Sequence, residues 1–201
     1  MPTPEEITRH HGVDPPAGES AWVPGKSPRA GVEVVDPDPS WPDLFSSLAE
    51  RIRGALGARA LSVEHVGSTA VPGLPAKPVI DIDLTVADSA DEAAWLPALE
   101  EAGFELVIRE PWWHEHRCLT FEDPRCNLHV FSPDCPETIR HVLFRDWLRA
   151  HPDDLEAYRN AKLGAARAAN AAGEHVMDYN ARKQPVIRAI YDRAFRDAGL
   201  L

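Results

Sequence analysis

Cysteine is scarce and poorly spaced for a structural role. The chain of 201 residues holds three, Cys118, Cys126 and Cys135. An odd number with no C-x-x-C pair excludes a disulfide framework and a thiolate zinc site as the organising principle of the fold. Small buried thiols are expected instead. Long apolar runs are missing too: none approaches the ~18 residues that cross a bilayer. The opening residues, Met1-Pro2-Thr3-Pro4-Glu5-Glu6, lack the basic-then-apolar layout of a secretory signal. These absences predict a cytoplasmic protein with no membrane partner. Positive charge is in deficit, with 21 Lys+Arg against 32 Asp+Glu and a net charge of −11. An extended nucleic acid would need a basic face to displace its counterions, so that class of partner is excluded.

The deficit is uneven. Residues 1–135 hold 10 Lys+Arg and 23 Asp+Glu, whereas residues 136–201 hold 11 and 9. A small anionic ligand held by a few cations from the second part is compatible with that division. Apolar residues make up 44% of the chain, enough for one packed core plus appendages.

Three segments are expected. Residues 1–31 read as a tail without secondary structure, broken by Pro2, Pro4, Pro15, Pro16, Pro24 and Pro28 and by glycines such as Gly12. Residues 32–135 read as an α/β core. The β-branched stretch Val32–Val35 opens it and Asp36-Pro37-Asp38-Pro39 stops that stretch. A helix follows, capped by Ser40 or Asp43, through Leu44, Phe45, Leu48, Ile52 and Leu56, and Gly57 ends it. Strands are expected at 61–66, 78–86, 104–109, 117–121 and 127–131, with a helix near 91–103. Residues 136–201 take on a helical period: one helix from Pro136, one from Pro152 to Gly173, and a last one opened by Pro185. The fold class expected is α/β (α+β), a mixed sheet flanked by helices with a C-terminal helical layer.

One strand carries a conflict. In Val79–Val86, Ile80, Ile82, Leu84 and Val86 suit a core, while Asp81 and Asp83 share the opposite face. Two carboxylates two residues apart repel, and burying them unpaired costs several kcal/mol each, roughly. A divalent cation, Mg²⁺ or Mn²⁺, would resolve both problems and leave positions for substrate phosphates. The alternative is an edge strand with a solvated polar face. Just upstream, His65-Val66-Gly67-Ser68-Thr69 ends a strand. Gly67 permits close backbone approach, and exposed N–H groups with the Ser68 hydroxyl can hold phosphate oxygens.

Gly67-Ser68 followed by Asp81-Ile82-Asp83-Leu84 resembles the signature of the nucleotidyltransferase superfamily, the DNA polymerase β-like fold. More closely, the run from Glu64 through Gly67-Ser68-Thr69-Ala70-Val71-Pro72-Gly73-Leu74-Pro75-Ala76-Lys77-Pro78 to Ile82 resembles the GrpB family. The resemblance extends to Leu128-His129-Val130-Phe131, to Phe144–Pro152, and to the Tyr158…Lys162 and Tyr179…Lys183 pairs. It implies a metal-dependent nucleotidyltransferase-type protein. Asp81 and Asp83 would be catalytic and metal-binding, with His129 a third ligand. Gly67, Ser68, Lys77, Arg117, Arg145, Lys162 and Lys183 would bind a nucleoside triphosphate or a small acceptor. Two departures qualify this. Many GrpB-like sequences carry an apolar residue at the position of Asp83. The third carboxylate of nucleotidyltransferases is replaced here by His129, whose other reading is a hydrogen-bonded, half-buried histidine. A non-catalytic binding module on the same fold, or a different Asp/Asp/His metal enzyme, therefore stands beside the first reading.

The remaining polar groups have plainer alternatives. His114, His116 and Cys118 could bind zinc on one strand face, though a ligand-contacting rim ending at Arg117 is favoured. Trp112-Trp113 could stack a base or pack on the sheet edge. Arg145, Arg149, Lys162 and Lys183 form either a solvated helix face or one anion-binding wall, with Asp146 orienting the arginines.

Overall fold

The computed structural model describes residues 1–10, 15–28 and 31–201. Its centre is a five-stranded mixed sheet, with β1 Ser62–Val66, β2 Ile80–Thr85, β3 Glu105–Glu110, β4 His116–Glu122 and β5 Arg125–Phe131. The spatial order is β1-β2-β5-β4-β3, with β2 and β5 parallel and every other pair antiparallel. The helices are α1 Pro4–Thr8, α2 Trp41–Leu56, α3 Glu92–Glu101, α4 Pro136–Ala150, α5 Pro152–Ala172 and α6 Val176–Asp197.

Strand alternation divides the sheet into two chemically different faces. Ile80, Ile82 and Leu84 of β2, Leu119 of β4, and Leu128 and Val130 of β5 are all buried. They pack with Leu48 and Ile52 of α2 and Trp95 and Leu99 of α3. The opposite face carries Asp81, Asp83, Asn127 and His129. The parallel register places Asp81 beside Asn127 and Asp83 beside His129. Helices α4 to α6 enclose that polar face. They pack through Leu148, Tyr158 and Ile190 onto Val71 and Leu74 of the β1–β2 connection.

Three departures from the sequence reading have local causes. The tail is not structureless where it is described. Thr3 and Glu6 close a reciprocal capping box on α1, and Ile7 is buried against Tyr191 and Phe195 of α6. The parts of the tail at 11–14, Gly12 among them, and at 29–30 lie outside the described residues. Val32–Val35 forms a single bridge to Ala76 rather than a strand. Pro37 on one side, with Pro75 and Pro78 on the other, lack the N–H groups needed to extend the pairing. The last helix starts at Val176, not Pro185. Gly173 ends α5 in the left-handed conformation, and a His175–Asp178 capping box starts α6. Pro185 is tolerated inside α6 because it and Ala181, whose carbonyl loses its donor, both face solvent.

Candidate functional site

The turn after β1 is built for close approach. Gly67 has φ 67° and ψ −163°, a combination almost confined to glycine. A Cβ at this position would stand 2.5 Å from Asp81 Oδ2. The Gly-Ser turn is therefore pressed directly onto the strand that carries the two aspartates. Thr69 closes the turn: its Oγ1 lies 3.0 Å from His65 Nε2 and donates to the Val79 carbonyl at 3.4 Å. Burial pushes His65 down to about 4, against the pull of Asp81. With the Thr69 hydroxyl donating to Val79, the His65 Nε2 is the donor to Thr69.

A cavity of about 450 Å³ opens in front of this turn, with Asp81 in its floor. Lys77 from the loop, Lys162 from α5 and Lys183 from α6 all enter it, as do Tyr158 and Tyr179. Lys162 is 2% exposed and Lys183 8%. Their ammonium groups stand 5.3 Å from the Tyr158 ring centroid and 4.0 Å from the Tyr179 centroid. Lys77 lies 5.8 Å from the same Tyr179 ring. None of the three lysines has a carboxylate at ion-pair distance among the described residues. Burial, then the charge of Lys183, holds Lys162 well below the usual lysine range, with Asp81 pulling the other way. Burial and the neighbouring Lys77 bring Lys183 down to about 7. Three lysines thus converge on one open carboxylate, in a place where burial opposes their charge and an added anion would favour it.

The two aspartates are not equivalent. Asp81 Oδ1 accepts a 2.8 Å hydrogen bond from Asn127 Nδ2, and the carboxylate lines the cavity. Asp83 is 2% exposed, and its Oδ2 accepts from His141 Nδ1 at 2.8 Å. Burial works against charge on His141, but Asp83 and Glu137 overcome it and carry the imidazole up to about 9. Buried Asp83 and half-buried His141 are therefore an ion pair. Asp83 Oδ1 has no partner among the described residues and is shut off from solvent.

This geometry does not suit an ion held jointly by Asp81, Asp83 and His129. Asp83 already has its cation, and its carboxylate does not line the cavity. The His129 Nδ1 is engaged by His116 Nε2 at 3.0 Å, and His116 Nδ1 lies 2.7 Å from Glu110 Oε2. Among the described residues no group of three His, Cys, Asp or Glu side chains is disposed to hold a metal ion, and His114 is not on the strand face that carries His116 and Cys118. His114 sits in the turn before β4, at φ 54°.

Gly67, Ser68, Lys77, Asp81, His129, Lys162 and Lys183 are brought together as the sequence suggested. Arg117 and Arg145 are not. Arg117 alternates onto the core face of β4, where its Nε donates to Glu92 of α3 at 2.6 Å. It clamps a helix to the sheet and does not line the lysine cavity. Arg145 reaches past the edge strand: its Nη1 donates to the His65 carbonyl at 2.9 Å and to Glu64 at 3.1 Å. It lines a separate cavity beside Arg149, and Asp146 holds both arginines. Trp113 packs edge-on to His116 and Phe131.

Sequence reasoning missed His141, Asn127 and the Glu110–His116 pair. Asn127 was visible in principle, two residues before His129 on the same strand face. His141 had only a weak signal, a polar residue inside the apolar stripe Ile139, Val142, Leu143 of α4.

The family model described as GrpB protein matches residues 31–193. The chain belongs to the GrpB family. A UPF0157 protein of Halalkalibacterium halodurans is 47% identical over 169 residues, covering 84% of this chain and 85% of that protein. The crystal structure of a conserved GrpB protein from Enterococcus faecalis superposes with a TM-score of 0.71 at 28% identity, over 83% of this chain and 99% of that one. A protein named dephospho-CoA kinase from Mycolicibacterium paratuberculosis is 35% identical over 193 residues, covering 83% of this chain but only 47% of the kinase. Membership thus spans the sheet, the Gly-Ser turn and the lysine-bearing helices. Among the described residues no helix is long and apolar enough to cross a membrane.

Proposed function

We propose that this GrpB protein binds the phosphates of a nucleoside triphosphate in the lysine cavity and transfers a nucleotidyl or phosphoryl group to a small acceptor. One observation carries the reading: Lys77, Lys162 and Lys183 converge, without carboxylate partners among the described residues, on a Gly-Ser turn and Asp81. Holding three ammonium groups in a half-closed cavity is unfavourable until an anion joins them. Triphosphate oxygens would supply that charge. The backbone N–H groups of the 67–70 turn would take further oxygens. Cations fixed in place before the reaction also stabilise the charge that builds on a transferring phosphoryl group.

A second reading has its own support. The closure of Asp83 by His141 leaves Asp81 as the one carboxylate of the pair open to the cavity, which suits binding without turnover. The match to less than half of the mycobacterial proteins named dephospho-CoA kinase adds that this fold serves elsewhere as part of a longer chain. Here the chain would be a phosphate-ligand module.

Thermal unfolding with each nucleoside triphosphate, with and without Mg²⁺ or Mn²⁺, tests the first claim. A ligand that binds only the native state adds roughly 2.7 kcal/mol at a hundredfold excess over its Kd. The midpoint should rise in the wild type and stay unchanged in Lys162→Gln. No rise with any triphosphate would overturn the reading. A rise without consumption of triphosphate in the presence of candidate acceptors would select the module.

A further inference from the structure

The lysine cavity does not end at His129. It adjoins a second compartment of about 330 Å³, and the two share Lys77, Val79, Ile108, Asn127, His129 and Asn180. The chemistry changes along the way. The second compartment is lined by Val79, Val107 and Ile108 on the sheet side and by Met177 at the start of α6. Its hydrogen-bonding groups include the neutral Thr120 hydroxyl and the Asn127 and Asn180 amides, alongside the charged Glu122 and Arg125. At its rim Lys26 is spent on an ion pair with Glu105. The compartment's charged residues are mixed in sign, Lys26, Lys77 and Arg125 against Glu105 and Glu122, so it does not repeat the cationic character of the first.

Its outer wall comes from an unexpected place. Residues 21–23 lie along the free edge of β3: Trp22 bridges Ile108, Arg109 N donates to the Ala21 carbonyl at 2.8 Å, and Val23 N donates to the Val107 carbonyl at 3.1 Å. The N-terminal segment thus makes a single bridge to the sheet edge and brings the Trp22 side chain to the compartment. These residues precede the stretch that the GrpB family model matches, which begins at residue 31. The lysine cavity is built from family positions, and the wall of its annex is not.

From this we infer that the annex receives the phosphate-free body of the substrate, a planar heteroaromatic base, with Trp22 as the residue that decides which phosphorylated molecule the site accepts. The inference rests on the anion-binding reading of the lysine cavity and adds substrate class to it. Three features match a base: apolar walls, one aromatic side chain, and neutral donors and acceptors that can meet a ring edge. The volume is near the lower end of the range for small-molecule pockets, roughly 300–1,000 Å³. The shared wall, Lys77 included, would set the phosphates on one side and the ring on the other.

Calorimetric titration of the full chain with tripolyphosphate and with the four common nucleoside triphosphates tests this. Removal of an aromatic stacking partner weakens base binding by about five- to hundredfold. The wild type should bind at least one nucleoside triphosphate about tenfold tighter than tripolyphosphate. Trp22→Ala should abolish that margin while leaving tripolyphosphate affinity unchanged, and Trp22→Phe should keep it. Thr120→Phe, which fills the annex from the sheet with a good strand former, should also abolish it. This variant covers the case in which Trp22→Ala fails to fold. Equal binding of tripolyphosphate and all four nucleotides, or an undiminished margin in folded Trp22→Ala, would overturn the inference and leave the anion site standing. If tripolyphosphate fails to bind while a free nucleoside binds in a Trp22-dependent way, the anion reading falls and the annex stands. If neither binds, both fall.

Discussion

Replacing Lys183 by methionine should alter the pH dependence of stability in a way that the buried position dictates. The side chain is 8% exposed, and its ammonium stands 4.0 Å from the Tyr179 ring centroid. Burial, helped by the charge of Lys77 and opposed by Asp81, lowers its pKa from 10.5 to about 7. In the unfolded chain the same lysine titrates at its ordinary value. Below pH 7 both states hold the proton, and the native state carries the full cost of a buried ammonium. Between pH 7 and 10.5 the unfolded state binds the proton that the native state has released, so native stability rises with pH. Each pH unit contributes about 1.4 kcal/mol, which amounts to roughly 3 kcal/mol between pH 7 and 9.5. Methionine fills a similar volume and has no proton to exchange. Lys183→Met should therefore be more stable than wild type near pH 7 by a few kcal/mol, with the gap closing by roughly 3 kcal/mol by pH 9.5. The cysteines and tyrosines, which burial raises above this range in the native state, release protons within it only in the unfolded chain, and being common to both proteins they cancel in the difference. Urea unfolding of the two proteins at half-unit steps from pH 6.5 to 9.5 measures it. Parallel stability curves would refute the argument that this lysine is held against its charge.

Three further outcomes follow from other contacts. Gly67→Ala places a Cβ 2.5 Å from an Asp81 carboxylate that Asn127 holds in place; strained backbone and overpacking together should cost roughly 2–6 kcal/mol, and a loss under about 0.5 kcal/mol in urea unfolding would contradict the packing described. His141→Gln strands the buried Asp83 and should cost about 3–5 kcal/mol near neutral pH. In the wild type the stabilisation from His141 is complete below its ordinary value of 6.5 and fades as pH rises through about 9, so the two proteins should converge in alkaline urea melts; a constant gap would show that charge on His141 is not what matters. Arg117→Ala should destabilise by roughly 1.5–3 kcal/mol through loss of its hydrogen bond to Glu92, which keeps Arg109, yet leave triphosphate binding intact; loss of binding in folded protein, measured by calorimetry, would return Arg117 to the site.

The strand β2 shows how far local pattern reaches. Alternation in Ile80–Thr85 fixed which residues face the core and which share the Asp81–Asp83 face, because side chains on a strand repeat every two residues whatever surrounds them. The Gly-Ser turn and the lysines of α5 and α6 were legible for a related reason: their spacing on each element is a local property. Where α6 begins was misjudged, because a capping box at His175 outweighs the usual meaning of Pro185 once Ala181 and Pro185 both face water. Arg117 and Arg145 were misplaced because charge alone does not say which partner a long side chain will reach. Glu92 and Glu64, 25 and 81 residues away in sequence, decided that. The closure of Asp83 by His141, 58 residues apart, is of the same kind. The sequence by itself determined the sheet, its polar face and the inventory of cations. Only the tertiary structure decided which carboxylate stays open, which lysines meet, and that Trp22 walls the cavity, since each depends on distances between elements that no local periodicity encodes.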